Sequence, residues 1–270
     1  MDLKLTGKVA VVTGGSQGIG KAIARALAGE GCAVAIIARH KETLDAAAGE
    51  IKAATGARIS AVVADMTKTE QVNRAIEGIV AEFGRIDILV NNAGAAPGGV
   101  LETLSDEDWE SGLQLKFLGY VRATRAVIPY MKKQKSGRVV NLIGNDGIKH
   151  SYWEIVPGAA NAAGQNLTLS LAGQYGRFNI SFVAVNPGPV RTERWDGLIK
   201  AMARDMKITT DQANARAAAS IPLGRIAEVE EVADLVTYLA SERAHYVNGT
   251  MIEVDGGQQK PLMDAMRDKA

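Results

Sequence analysis

The feature of this sequence that most constrains its fold is the alternation of short β-branched runs with longer stretches of helical periodicity. This alternation is typical of crossover units, in which a helix connects two parallel strands of one sheet. The runs predict strands at residues 9–13, 33–38, 58–63, 86–91, 138–143, 180–186 and 250–254. The periodic stretches predict helices at residues 18–30, 41–55, 68–83, 105–134, 157–175 and 228–241. We therefore predict an α/β fold, with a single doubly wound domain over residues 1–270 and a seven-stranded parallel sheet.

The composition excludes several classes of function. The chain has 270 residues, of which 47% are hydrophobic, and is long enough to bury a full core. A formal net charge of +1 gives no field that would gather nucleic acid or an anionic membrane, so neither partner is expected. The first apolar run is too short for a signal segment, and the single cysteine, Cys32, requires no oxidising compartment, which favours a cytoplasmic location. His40 and His245 lack partners at metal-ligand spacing, so no metal site is expected.

A glycine-rich turn between the first strand and the first helix has the composition of a phosphate-binding loop. In "VAVVTGGSQGIG", Gly14, Gly18 and Gly20 allow a tight turn and a close approach of the backbone to a pyrophosphate. The free N–H groups and the dipole of the following helix favour the negative charge of that phosphate. A tight turn without a ligand is the alternative. The predicted nucleotide-binding residues of this turn are Thr13, Gly14, Ser16, Gln17, Gly18, Ile19 and Gly20.

Four motifs occur in order along the chain: T-G-x-x-x-G-x-G at residues 13–20, "NNAG" at 91–94, "NPGPVRT" at 186–192 and "VDGG" at 254–257. Together they resemble the short-chain dehydrogenase/reductase family, over residues 5–257. The resemblance implies a Rossmann-type sheet, a nicotinamide dinucleotide, hydride transfer to or from a carbonyl or alcohol carbon of a small-molecule substrate, and a homotetramer, with a homodimer as the alternative. It also implies cofactor contacts near the adenine at Asp65 and Met66, along the middle at Asn91, Ala93 and Gly94, and along the nicotinamide at Pro187, Gly188, Val190 and Thr192.

The end of the second strand bears on the type of nicotinamide cofactor. A protein that selects NAD(H) places a carboxylate there to bind the ribose 2′-hydroxyl, and this carboxylate would repel a 2′-phosphate. Here Ala38 takes that position, and Arg39, His40 and Lys41 follow it. Because Arg39 can bind a phosphate in bidentate fashion, NADP(H) is favoured over NAD(H). The alternative is a solvated basic turn at a helix start.

The positions that carry the chemistry of the family differ in this chain. The family resemblance implies a tyrosine that exchanges a proton with the substrate oxygen, a lysine four residues later, a serine on the preceding strand end and an asparagine in the long helix before it. Ungapped alignment places these residues at Pro157, Asn161, Gly144 and Lys116, respectively. Pro157 has no proton to give, and Asn161 can hydrogen-bond ribose hydroxyls but is uncharged. The usual tyrosine–lysine mechanism therefore cannot operate, and we predict a divergent member with a degenerate tetrad.

Two features favour a rebuilt proton relay. Lys116 holds the asparagine position of the family and Asn161 holds its lysine position, so that a cation would enter the same pocket from another helix. The loop "NDGIKHSYWE", residues 145–154, leaves the carboxyl end of the fifth strand, where ligands of open α/β sheets bind. In this loop the imidazole of His150 is a candidate proton carrier, and the phenol of Tyr152 is another if a cation such as Lys116 lies beside it. The alternative is a solvated loop with aromatic anchors, and a Lys116 that reaches solvent.

The sequence leaves three functions open. The first is an atypical NADP(H)-dependent oxidoreductase, the second a non-redox lyase or dehydratase on the same scaffold, and the third an inactive NADP(H)-binding sensor or partner subunit. Residues 188–224 contain no predicted strand and lie where a substrate lid would cover the sheet edge, although such amphipathic stretches also pack against the protein body. The tail after residue 257 could contribute to a subunit contact.

Overall fold

The computed structural model describes residues 1–267, without the side chains of residues 201, 205, 266 and 267. The predicted tail contact lies partly outside these residues. The strands are β1 Val9–Thr13, β2 Ala33–Ala38, β3 Ile59–Val63, β4 Ile88–Asn91, β5 Gly137–Leu142, β6 Ile180–Pro187 and β7 Thr250–Val254. They form one parallel sheet in the order β3-β2-β1-β4-β5-β6-β7. The predicted α/β class, the doubly wound Rossmann-type topology and the seven-stranded parallel sheet are confirmed.

Helices cover both faces of the sheet. They are α1 Gly18–Gly29, α2 Lys41–Thr55, α3 Thr69–Phe83, α4 Asp106–Lys116, α5 Leu118–Gln134, α6 Ile155–Tyr175, α7 Glu193–Met206, α8 Thr210–Ala219, α9 Val229–Ala240 and α10 Leu262–Arg267. The apolar stripes of α1, α2 and α9 lie on one face, and those of α3 and α5 lie on the other with part of α6. Because the side chains of a strand alternate, Val12 belongs to the first layer and Val11 to the second. No helix within residues 1–267 has both the length and the apolar character that a membrane crossing requires.

The prediction of one continuous helix at residues 105–134 is wrong, because the segment forms two helices. Phe117 separates α4 from α5 with a φ of −108° and a ψ of −61°. Neither glycine nor proline occupies the break itself, and Gly119, two residues later, lies inside α5, so the sequence pattern did not locate the break. Ser105 and Asp108 form a capping box at the start of α4, in which each side chain accepts a hydrogen bond from the backbone N–H of the other residue. The break makes Lys116 the last residue of α4, from which its side chain reaches the end of β5.

The strand order reverses between β1 and β4, which opens a crevice at the carboxyl ends of the strands. The segment predicted as a lid, residues 188–224, forms α7 and α8 beside this crevice. The two helices share a small apolar cluster that includes Trp195, Ile199 and Ala213, with Leu262 of α10. Much of the amphipathic stripe is therefore internal to this cluster, while Trp195 and Leu198 also line the crevice.

Candidate functional site

A cleft at the carboxyl edge of the sheet collects most of the predicted site residues. It has a volume of about 550 Å³ and runs from the glycine-rich turn to the start of α6, which we call its distal end. The predicted site residues that line it are Gly14, Ser16, Gln17, Gly18, Ile19, Gly20, Arg39, His40, Met66, Ala93, Gly94, Lys116, Pro187, Gly188, Val190 and Thr192. The described residues that line the cleft do not include Thr13, Asp65, Asn91, His150, Tyr152 or Asn161.

The glycine-rich turn has a shape that side chains would obstruct. Gly14 has a φ of +67° and Gly18 a φ of +52°, both in the left-handed region. A Cβ on Gly20 would lie 2.2 Å from the carbonyl oxygen of Gly14, so the start of α1 approaches the turn more closely than any side chain allows. The turn is therefore a cradle of backbone atoms facing the cleft.

The first turn of α1 presents backbone donors to this cradle. Gln17 precedes the helix without capping it through its side chain, and the first turn contains no acidic residue. The first N–H groups of a helix have no partner within the helix, and the helix dipole makes this end electropositive. The residues present therefore fit a pyrophosphate at this end of the cleft.

Thr13 and Asn91 shape the cleft from behind its wall. Thr13 is fully buried, and its Oγ1 accepts hydrogen bonds from the backbone N–H groups of Asn92 at 2.9 Å and Ala93 at 3.1 Å. The Asn92 side chain donates to the Thr13 carbonyl oxygen at 3.0 Å. Asn91 is also buried and donates to Asn141 Oδ1 at 2.8 Å. The Thr13 contacts tie the "NNAG" loop to the glycine-rich turn, and the Asn91 contact ties it to β5.

The basic turn after β2 lies beside the glycine-rich turn, at the end of the cleft that fits a pyrophosphate and that we call its nucleotide end. Arg39 and His40 are exposed and line the cleft, while Asp65 accepts a hydrogen bond from the Thr67 backbone at 2.8 Å. Burial alone would raise the pKa of Asp65, but the hydrogen bonds from Thr67 and the nearby Arg39 cation lower it. Within the described part of the chain, no carboxylate forms an ion pair with Arg39. Its guanidinium is therefore available to an anionic ligand.

At the distal end, the space beside Gly144 is already filled. Gly144 has a φ of +137°, and a Cβ there would lie 2.6 Å from both Asn161 Nδ2 and Asp146 Oδ1. Asn161 is buried and donates a hydrogen bond to Asp146 Oδ1, so its amide is directed to the loop after β5. Pro157 lies in the first turn of α6, where a backbone N–H has no acceptor within the helix. The proline therefore costs the helix no hydrogen bond. Pro157 lines the cleft, whereas Asn161 lies behind it.

Lys116 enters the distal end from the last turn of α4. Its Nζ donates a hydrogen bond to the carbonyl oxygen of Ile143 at 3.1 Å. Its methylene chain packs on Gly94, where a Cβ would lie 3.2 Å from Lys116 Cγ. Burial lowers the pKa of Lys116 and the Arg194 cation lowers it further, although the Asp146 carboxylate acts in the opposite direction and raises it. A cation in this position can hydrogen-bond a substrate or tune a neighbouring proton donor.

Glu154 is a lining residue that the sequence prediction did not select. It is the half-buried residue immediately before α6, and its backbone pairs with Gly99. Burial raises the pKa of Glu154 to about 7; Asp146 also raises it, and the Lys116 cation lowers it. The surrounding loop is visible in the sequence as rich in titratable groups. The burial that makes this one carboxyl titrate near neutral pH is not visible there.

The middle of the same loop is tied down away from the cleft. Lys149 forms an ion pair with Asp255, beyond β7. His150 and Tyr152 are exposed, and neither is among the described residues that line the cleft. The structure therefore does not bring these two side chains together with Lys116.

One known protein family matches most of the chain. The family described as "short chain dehydrogenase" matches residues 8–203, which include the glycine-rich turn, the "NNAG" loop and α6. The chain belongs to the short-chain dehydrogenase family. The resemblance predicted from the four motifs is thereby confirmed at the level of the family.

Several proteins named as reductases or oxidoreductases are similar to this chain along nearly its whole length. The 3-oxoacyl-(acyl-carrier-protein) reductase FabG of Thermotoga maritima is 34% identical, over 94% of this chain and 99% of its own. The oxidoreductase UcpA of Salmonella typhimurium is 36% identical, over 96% of this chain and 97% of its own. The crystal structure of L-sorbose reductase from Gluconobacter frateurii, complexed with NADPH and L-sorbose, matches with a TM-score of 0.92 and 32% identity, over 96% of this chain and 99% of that one.

The short-chain dehydrogenase motifs located the nucleotide end of the cleft but not the charges at its distal end. Arg194 reaches the cleft from the first turn of α7, and Asp146 from the short turn after β5. The fold brings these residues near Lys116 although they are distant in the chain, and no motif spacing signals it. Among the side chains that the structure describes, no group of three or more His, Cys, Asp or Glu residues is arranged to hold a metal ion.

Proposed function

We propose that this protein is an atypical NADP(H)-dependent oxidoreductase that transfers hydride between the nicotinamide and a small carbonyl or alcohol substrate. The observation that carries the proposal is the continuity of one cleft from the glycine-rich turn to the charged distal end around Lys116. Membership of the short-chain dehydrogenase family supports it. Further support comes from relatives named as reductases, one of them complexed with NADPH.

The lining of the cleft fits NADP(H). The glycine-rich turn and the first N–H groups of α1 would hold the pyrophosphate, and Arg39 with His40 would bind the 2′-phosphate. When bound, the nicotinamide supplies or accepts the hydride. Asp65, Asn91 and Thr13 do not line the cleft, and they would support the cofactor site from positions just outside the lining. The residues proposed to line the rest of the cofactor are Met66, Ala93, Gly94, Pro187, Gly188, Val190 and Thr192.

We further infer that the tetrad of the family is degenerate here and that a rebuilt relay moves the proton. Pro157 has no proton to exchange, and the amide of Asn161 is engaged with the loop after β5. Lys116 supplies a cation at the distal end, next to the place of a substrate oxygen. His150 and Tyr152, the proton carriers favoured by the sequence, would have to turn inward from an exposed position. The geometry therefore favours groups already in the lining.

The remaining parts of the proposal rest on the sequence. The ligand is a small-molecule substrate, with neither nucleic acid nor a membrane as a partner, and the location is cytoplasmic. The segment 188–224, with α7 and α8, acts as a lid over the distal end. The assembly is a homotetramer, with a homodimer as the alternative. Size-exclusion chromatography with light scattering tests the assembly, because the molar masses of the two forms differ twofold; a monomer at micromolar concentration would contradict both.

Titration with NADPH and NADH tests the nucleotide part of the proposal. Nicotinamide fluorescence and thermal unfolding are followed together, and we expect tight binding of NADPH and weaker binding of NADH. Oxidation of NADPH by carbonyl compounds is then followed at the nicotinamide absorbance band. Conversion of a substrate without an absorbance change would favour the lyase or dehydratase. Binding of NADPH without hydride transfer to any carbonyl compound would favour the sensor or partner subunit.

A further inference from the structure

A carboxyl group without an assigned role stands at the distal end of the cleft. Glu154 is the residue before α6, and both Glu154 and Pro157 line the cleft. Residues three apart lie on one face of a helical turn, so Glu154 stands beside the position at which the family resemblance places a proton-transferring tyrosine. Lys116 lines the same end. The proton that Pro157 cannot supply is therefore available one turn earlier in the chain.

The backbone around Glu154 is held from two sides. The Gly99 N–H donates to the Trp153 carbonyl oxygen at 2.8 Å, in a parallel bridge that pairs Gly99 with Glu154. The Trp153 ring covers Gly98, where a Cβ would lie 2.0 Å from ring carbon Cζ3. From the other side, Ser151 Oγ accepts a hydrogen bond from the Glu154 N–H at 3.2 Å. The carboxyl group thus projects from a supported wall, as precise proton transfer requires.

The Glu154 carboxyl is free to meet a substrate. Among the backbone atoms of residues 1–267 and the side chains that the structure describes, none donates a hydrogen bond to it. Charged groups face it from four elements: Lys116 at the end of α4, Asp146 in the turn after β5, Arg194 on α7 and Asp264 on α10. Burial, together with the two carboxylates, raises the pKa of Glu154 to about 7, although the two cations lower it. Both protonation states are therefore populated at neutral pH, as suits a general acid and base.

We propose that Glu154 gives a proton to the substrate oxygen and takes it back in the reverse reaction; this inference rests on the proposed function. In the reducing direction, the carbonyl carbon of the substrate receives hydride and the π electron pair moves to oxygen. That oxygen forms an O–H bond with the Glu154 proton, while the carboxyl O–H bond breaks and leaves a carboxylate. A solvent proton reloads the carboxylate through the open cleft. Lys116, at the same end, stabilises the negative charge that develops on the substrate oxygen.

Substitution of Glu154 tests this role with 4-nitrobenzaldehyde, ethyl acetoacetate and L-sorbose as probe compounds. Glu154→Gln keeps the shape but cannot act as an acid, so kcat for NADPH oxidation should fall at least about 100-fold, with an NADPH Kd within roughly threefold of wild type. Glu154→Ala should regain part of its activity when formate is added, since formic acid can supply the missing proton. Glu77→Gln removes an exposed carboxyl from α3 and is the matched control, expected to behave as wild type.

The outcomes separate this inference from the proposed function. If the wild-type protein reduces a probe and Glu154→Gln keeps both its kcat and its pH profile, the role of Glu154 is overturned while the oxidoreductase stands. If the wild-type protein binds NADPH but reduces none of the probes, both proposals are overturned. Should the Gln variant fail to fold, Glu154→Asp, which withdraws the carboxyl by one methylene, should retain reduced activity with a displaced pH profile. An unchanged rate and profile in that variant would overturn the role.

A direct titration of the carboxyl group provides a readout that needs neither cofactor nor substrate. Infrared difference spectra between the wild-type protein and Glu154→Gln isolate the carbonyl stretch of the protonated Glu154 carboxyl. We expect this band to disappear with a midpoint near the pKa of about 7. A midpoint at the ordinary pKa of a glutamate would overturn the inference, because such a group is almost fully ionised at neutral pH.

Discussion

Replacing Gly144 with serine should destabilise the protein, even though the family resemblance places a serine at this position. The backbone of Gly144 has a φ of +137°, where side chains are strained. A Cβ would also lie 2.6 Å from Asn161 Nδ2 and from Asp146 Oδ1. These two atoms form a hydrogen bond in the space that the side chain would need. Insertion of the side chain must therefore displace that hydrogen bond or shift the start of the loop.

The size of the effect follows from two contributions. A residue held in a φ region that only glycine tolerates costs about 1–3 kcal/mol. Loss of a hydrogen bond to the buried Asn161 amide costs about 1–3 kcal/mol more, because the buried group loses its partner. The free energy of unfolding of Gly144→Ser should therefore fall by about 2–6 kcal/mol.

Urea unfolding at fixed protein concentration, with linear extrapolation to water, measures this loss. Gly49→Ser is the control, since Gly49 is exposed in the middle of α2 and a Cβ there meets no atom within 4 Å. Its free energy of unfolding should stay within about 0.5 kcal/mol of wild type. Gly144→Ala should be as destabilised as Gly144→Ser, because the Cβ causes the clash. Stabilities of both Gly144 variants equal to that of the control would refute the reasoning.

Three further measurements test other parts of the structure. Arg39→Ala should weaken NADPH binding about 10- to 100-fold and leave NADH binding nearly unchanged, because a charged hydrogen bond to the 2′-phosphate is lost; equal losses for both nucleotides in fluorescence titrations would contradict this role. Since the pKa of Glu154 rises from 4.5 to about 7 on folding, the unfolded chain ionises first as pH increases. The unfolding free energy of wild type relative to Glu154→Gln should therefore fall by about 3 kcal/mol between pH 4.5 and pH 7, and a constant difference in denaturant titrations would contradict it. Burial raises the pKa of the Cys32 thiol to about 12, so iodoacetamide should label Cys32 only after unfolding, and rapid labelling of the native protein in mass spectra would refute this.

The sequence located most of the fold because each strand and helix carries its own local pattern. Apolar runs such as 33–38 and helical repeats such as 41–55 match the observed bounds of β2 and α2. The break at Phe117 was missed because the break itself carries neither glycine nor proline, and Gly119 lies within α5; the break is recognised only from the backbone of the folded chain. The prediction of a long helix was right about the helical character of the segment. It did not show that the first helix ends at Lys116, whose side chain then reaches the end of β5.

The nucleotide end of the cleft was determined by the sequence, since its chemistry resides in backbone atoms whose arrangement glycines encode locally. The distal end was decided by the tertiary structure. Lys116 comes from the end of α4, whereas Asp146 and Glu154 come from opposite ends of the loop after β5, and only the way these segments meet sets their mutual charges and burial. For the same physical reason, the family resemblance could single out positions 157 and 144, but it could not indicate that burial raises the pKa of Glu154, three residues before Pro157, to about 7. Desolvation is a property of the packed chain, and no local spacing of residues records it.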